Sequence, residues 1–189
     1  LILDEIPHAL GRTGTMFTFQ HYDIIPDMVV LGKGLGAGIV PFAAVLGKEK
    51  LNESISERAI GHFTHEKSPF ASTAALAMLE VIEKEHLLDH VQYMESYISQ
   101  EYFPQLRELP WVHDTRIIGL MIGIELRDPK HNDKAVDLAE KVMYTCMTNG
   151  LNFKLSMGST INLTPPMNVS KDEIDEAFSI IINAIKDIA

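Results

Sequence analysis

A single lysine, Lys33, interrupts the run VVLGKGLGAG at residues 29–38, which is otherwise apolar or glycine. An ammonium placed there has two uses. It can reach solvent from a loop as an ordinary surface cation. Alternatively, burial lowers its pKa from about 10.4 and makes the neutral amine a nucleophile toward carbonyls, which is the property of a Schiff-base lysine. Gly34, Gly36 and Gly38 leave room for a bulky adduct on such an amine. Phosphate-loop patterns fit less well. A Walker A loop needs Ser or Thr after its Gly-Lys, and Gly34 stands there; the pattern G-x-G-x-x-G lacks its last glycine, because Ala37 occupies that place.

Asp4, the first of two acids that end the apolar run LIL, is the second candidate. If Lys33 carried pyridoxal phosphate, a carboxylate beside the ring nitrogen would keep that nitrogen protonated, and the pyridinium is the electron sink of that cofactor. Taken alone, Asp4 and Glu5 suit ordinary turn or helix-capping duty equally well.

These residues need elements to hold them. LIL at 1–3 and DMVVLG at 27–32 read as short buried strands of a parallel sheet, linked by a turn-rich HALGRTG and a stretch able to make one or two helical turns. In open α/β sheets functional groups gather beyond the carboxyl ends of the strands, where Asp4 and Lys33 both fall. PFAAVLG at 41–47 predicts a third strand. From Pro69 the spacing of Ala71, Ala74, Ala75, Met78, Leu79 and Ile82 predicts a helix, and 86–106 predicts another whose end is disturbed by Pro104. Beyond it the sequence predicts a strand at 115–126, a helix at 133–149 stopped by Gly150, strands around NFKLS and TINLT, and a last helix. Ser170 and Glu173 match a capping box at the start of that helix. The fold class is therefore α/β: part of a parallel sheet in residues 1–85, joined to a small α+β domain in residues 86–189.

Composition narrows the partners. The 189 residues carry 26 Asp and Glu against 16 Lys and Arg, a net charge of −10, so no positive field exists to attract nucleic acid or an anionic membrane. The single cysteine, Cys146, cannot form an internal disulfide, which makes the cytoplasm the expected compartment. No metal-ligand spacing is present: His86, His90 and His113 read as surface or core fillers, and Cys146 as a buried helix residue. The chain opens without Met, directly in a strand, and so reads as the later part of a longer protein.

The motif order resembles the class III, ornithine-type aminotransferases, pyridoxal phosphate enzymes of fold type I. Their apolar strand, Asp-Glu-Val, Gly-x-Gly-Arg-Thr-Gly, aromatic stretch, Pro-Asp and Lys-Gly-Leu-Gly-Gly-Gly is similar to LILDEIPHALGRTGTMFTFQHYDIIPDMVVLGKGLGAG. The likeness continues through Thr64–Pro69, RIIGLMIGIEL and LTPPMNVS. It implies that Lys33 binds the cofactor and moves the substrate proton, that Asp4 pairs with the pyridine nitrogen, and that Ile6 packs on one ring face. It further implies that Thr64 donates to the cofactor phosphate of a neighbouring subunit in a homodimer, and that the substrates are an amine and a keto acid.

Departures from the family pattern bear on substrate. Pro7 replaces a glutamine near the cofactor's phenolic oxygen. Asn162 stands where ornithine-type enzymes carry an arginine for the substrate carboxylate, and a neutral amide cannot make that bidentate ion pair. His65 and Lys67 put ionisable groups near the expected phosphate; either they belong to a solvated loop or they recognise an anionic substrate. GHFTHEKSP and DEIP are similar to the family's amino-hydroxyphosphonate ammonia-lyase branch. Transamination is the leading expectation, with an ammonia- or phospho-lyase acting on a phosphate- or phosphonate-bearing amine second, and a non-catalytic fragment third. The phosphate-binding turn and the ring-stacking aromatic residue of the family precede the matched region.

Overall fold

A computed structural model of the chain describes residues 1–53, 64, 66 and 68–188. Two compact units emerge, Leu1–Leu88 and Asp89–Ala189. The first holds a three-stranded sheet of β1 (Ile2–Asp4), β2 (Met28–Leu31) and β3 (Ala44–Gly47), followed by the short α1 (Lys50–Glu53) and by α2 (Pro69–Lys84). β1 and β2 are parallel, with Asp4 opposite Val30. The link between them contains a 3₁₀ turn at Thr18–Tyr22, the helical turn expected there.

The third strand departs from the parallel expectation. β3 runs antiparallel to β2, with Leu31 opposite Ala44 and Met28 opposite Gly47. A parallel return needs a crossover that packs across a sheet face. Here the link is a 3₁₀ turn at Lys33–Gly36 followed by left-handed Ala37 and Gly38, which reverse the chain. α2 begins at Pro69 as predicted, with the proline in the first turn, and the structure adds a cap: the Ser68 hydroxyl accepts the Ala71 N–H. Its buried residues Ala71, Ala75 and Ile82 lie on the face marked by their spacing, and the helix packs on the Lys33–Gly36 turn. At the amino end of β2, Asp27 takes ion pairs from Lys48 at 3.1 Å and Lys50 at 3.3 Å, tying β2 to the chain leaving β3.

The second unit packs helices on one face of a four-stranded antiparallel sheet of order β4–β5–β7–β6. α3 (Leu87–Glu101) and α4 (Phe103–Arg107) replace the single helix expected over 86–106. The break falls at Tyr102, which leaves Pro104 in the first turn of α4, where its missing N–H costs no intrahelical bond. The run at 115–126 is likewise two elements, β4 (Val112–Ile118) and β5 (Met121–Leu126), joined through Gly119 at φ 54° and Leu120. α5 (Val136–Thr148) starts three residues later than its pattern, because the Arg127–Lys134 bridge closes a loop ahead of it. β6 (Lys154–Ser156) and β7 (Thr160–Leu163) complete the sheet, and α6 (Lys171–Ile188) ends the chain. The capping box is present in full: the Ser170 hydroxyl accepts the Glu173 N–H, and the Glu173 carboxylate accepts the Ser170 N–H.

Alternation along these strands makes one face core. Ile122, Ile124 and Ile161 are buried and meet Val91, Met94 and Ile98 of α3 and Phe178 and Ile181 of α6 in one cluster. Asp175 of α6 adds a polar tie. Its carboxylate accepts the Tyr97 phenol at 2.5 Å and the Tyr102 phenol at 2.6 Å. Those two bonds, Tyr102's first, hold the Asp175 carboxyl below the ordinary range, while burial and Asp175 push the Tyr102 phenol well above its own. Cys146 is fully buried in α5, which raises its thiol to about 11. Among the described residues no helix is long and apolar enough to cross a membrane.

Candidate active site

Asp4 is the last residue of β1, and Lys33 lies two residues beyond the end of the parallel neighbour β2. Both therefore stand at the carboxyl end of the sheet, as their positions in the sequence predict. The backbone there is unusual. Lys33 has φ 43°, in the left-handed region that costs an L-residue roughly 1–2 kcal/mol and that glycine occupies freely. A lysine held in such a conformation points to a role for the side chain rather than for the backbone.

Close packing sets the place of that turn. A Cβ on Gly32 would come 3.3 Å from the Ile6 side chain, so the loop after β1 rests directly on the backbone preceding Lys33. Ile6 thus sits beside the lysine, half-buried. A Cβ on Gly36 would meet the Phe42 backbone nitrogen at 3.3 Å, which closes the turn onto the entry to β3. Gly38, at φ 70°, has open space around it.

Within this chain Lys33 is exposed. The apolar run that surrounds it in sequence packs beneath it, with Leu31 and Leu35 buried while the side chain projects outward. Asp4 is also exposed. Its carboxylate accepts the Ile6 N–H at 3.1 Å, and among the described residues no cation pairs with it. Thr64 lies exposed in a turn, and His65 and Lys67 lie outside the described residues.

Glu5 is the residue whose importance the sequence underplays. It is 2% exposed, and its two carboxylate oxygens accept the N–H groups of Thr18 at 2.7 Å and Phe19 at 2.8 Å. It thereby caps the 3₁₀ turn and anchors the chain leaving Asp4. Thr18 extends the anchor: its hydroxyl donates to the His8 carbonyl at 3.0 Å and lies 2.9 Å from the His8 ring nitrogen. His21 reaches the Thr13 carbonyl at 2.9 Å. Arg12 of the same loop is half-buried, and desolvation lowers its pKa. The signal in the sequence was the second acid of DE, one residue past the strand and able to turn inward while Asp4 faces out.

In the second unit Asn162 lies on β7, and its amide donates to the Ser156 hydroxyl at 3.3 Å. It lines a cleft of about 500 Å³ together with Lys154, Phe153, Thr164 and Pro165.

Comparisons agree with the motif reading. The family model for aminotransferase class III matches residues 1–185. The (R)-1-hydroxy-2-aminoethylphosphonate ammonia-lyase of Vibrio splendidus is 44% identical over 98% of this chain and 39% of its own length. An acetylornithine aminotransferase of Archaeoglobus fulgidus is 34% identical over 97% of this chain and 44% of its own. Among solved structures, an (S)-enantioselective omega-transaminase from Thermomicrobium roseum superposes with a TM-score of 0.91 at 30% identity, over all of this chain and 43% of that one. The chain spans about two fifths of the length of the curated relatives it matches. Its fold is part of the fold type I architecture. With a left-handed lysine and a carboxylate that no cation pairs among the described residues at one sheet end, and a family model covering nearly every residue, the chain belongs to the class III aminotransferases, a pyridoxal phosphate-dependent family.

Proposed function

We propose that the protein carrying this chain is a pyridoxal phosphate enzyme that moves an amino group between a primary amine or amino acid and a keto acid, with Lys33 as the residue that binds the cofactor. The left-handed conformation of Lys33, at the same sheet end as Asp4, carries this reading. The bound cofactor supplies an electron sink for the bonding pair left at the substrate carbon. Lys33 Nζ holds the cofactor and, once displaced by the substrate amine, takes and returns the proton at that carbon. Asp4, an unpaired anion among the described residues, keeps the ring nitrogen protonated. Ile6, fixed over Gly32, packs against one ring face. Thr64 donates to the cofactor phosphate of a neighbouring subunit, so the active form is a homodimer, placed in the cytoplasm. Residues 1–85 are the later part of the large cofactor-binding domain and 86–189 the small domain. His65 and Lys67 contribute positive charge near an anionic substrate.

A second reading is an ammonia- or phospho-lyase acting on a phosphate- or phosphonate-bearing amine. Neutral Asn162 at the arginine position and the 44% identity to the Vibrio splendidus enzyme favour it. Three measurements on full-length protein test these readings. Borohydride should fix the cofactor onto Lys33, and an adduct that persists in Lys33→Ala would remove that lysine from the chemistry. Asp4→Asn should retain cofactor and slow turnover at least ~100-fold, as loss of a preorganised charge does. Ammonia released without 2-oxoglutarate or pyruvate would select the lyase; acceptor-dependent amino acid formation without free ammonia would select the aminotransferase.

A further inference from the structure

Glu5 is tied through every polar group it carries. Its N–H donates to the Val30 carbonyl of β2 at 3.0 Å, its carbonyl accepts the N–H groups of His8 at 3.2 Å and Ala9 at 3.0 Å, and its carboxylate takes the Thr18 and Phe19 N–H groups. The residue is almost wholly buried, so little water competes for these bonds. The residues on either side of it are the ones the proposed chemistry uses. Asp4 Oδ1 accepts the Ile6 N–H, which makes Glu5 the middle residue of an Asx turn. The direction of the Asp4 carboxylate therefore depends on the backbone dihedrals of Glu5. Farther along, a Cβ on Gly32 would meet Ile6 at 3.3 Å and one on Gly34 would meet Leu10 at 3.7 Å, so the same segment touches both sequence neighbours of Lys33.

We propose that Glu5 is a positioning residue: by fixing the Asx turn from below, its buried carboxylate aims Asp4 at the ring nitrogen of the cofactor. The proposal rests on the chemistry assigned to Lys33 and Asp4. An aspartate side chain at a strand end has several staggered directions open to it. The bond from the Ile6 N–H selects one of them, and Glu5 holds that N–H in place. The two donors facing Glu5 explain why an acid stands there. A carboxylate offers two acceptor oxygens, whereas a glutamine would set its NH2 against the N–H of Thr18 or of Phe19. If Glu5 served only to hold the 3₁₀ turn, its loss would lower stability and leave the ring nitrogen unaffected.

The test is the nitrogen-15 shift of ring-labelled pyridoxal phosphate bound to the full-length protein, followed as pH rises. An anion in contact favours the protonated ring, so displacing the anion lowers the pH at which the proton leaves. Asp4→Asn should lower that pH by about 1–3 units, the range for an opposite charge at contact. Glu5→Gln should lower it by about 1 unit or more while Asp4 is still present. Added to Asp4→Asn, the same substitution should produce no further shift, because Glu5 acts through Asp4. Far-ultraviolet circular dichroism confirms that each variant is folded. Should Glu5→Gln fail to fold, Glu5→Asp, which keeps the charge but withdraws it by one methylene, should shift the titration in the same direction. An unshifted titration in a folded Glu5 variant, or a full further shift on top of Asp4→Asn, would overturn the proposal. A titration unmoved by Asp4→Asn alone would instead remove Asp4 from the chemistry, so the two failures are told apart.

Discussion

Replacing Lys33 by glycine should make the protein more stable than replacing it by alanine, the reverse of the order expected at most positions. With φ at 43°, Lys33 and an alanine in its place both occupy the left-handed region. That region costs an L-residue about 1.5 kcal/mol, and glycine escapes the cost. Glycine gives back about 0.7 kcal/mol through the greater freedom of its unfolded chain. The balance favours Lys33→Gly over Lys33→Ala by about 0.8 kcal/mol, close to a fourfold change in the folding equilibrium. The lysine side chain cannot mask the difference, because both variants remove it. Urea unfolding of the cofactor-free, full-length variants measures it as a shift in midpoint at constant slope. An alanine variant as stable as the glycine variant, or more so, would show that residue 33 is not held left-handed and would remove the conformational case for its function. Neither variant should retain a borohydride-fixed cofactor at residue 33, so the better-folded protein is an inactive one.

Glu5→Ala should cost about 2–4 kcal/mol, because it strips the acceptors from the Thr18 and Phe19 N–H groups. A loss below about 0.5 kcal/mol in chemical denaturation would mean the 3₁₀ turn holds itself. Asp175→Asn should cost about 1–2 kcal/mol at neutral pH, a figure discounted for partial solvent access. Since the folded carboxyl titrates below its unfolded value, its contribution is complete above about pH 4 and fades as pH falls through the depressed pKa. Wild type should therefore lose stability more steeply than Asp175→Asn below pH 4, and parallel acid profiles would refute the tyrosine tie.

What could be read in advance was local. The Ser170–Glu173 capping box and the helix start at Pro69 depend on contacts within four residues, and both appear as written in the sequence. The hairpin at Gly119 was hidden because its turn carries Leu120, which is fully buried and apolar, in place of the polar residues that mark most turns. The direction of β3 depends on how left-handed residues bend the link before it, and only Gly38 among them advertises that conformation by its type. The site shows the same divide. Lys33 and Asp4 were legible from their strand ends, whereas the exposure of Lys33 and the inward turn of Glu5 depend on what packs beneath each.

The first sheet is fastened at both ends, by exposed ion pairs at one and by a buried carboxylate, Glu5, at the other. Asp27, with Lys48 and Lys50, ties the amino end of β2, while Asp4 and Lys33 stand past the carboxyl ends of β1 and β2. A lineage that exchanges residues around Asp4 and Lys33 must therefore spare Glu5, whereas the exposed Asp27 cluster can vary independently of that end. Directed evolution can use the same partition by assigning the two ends to separate libraries.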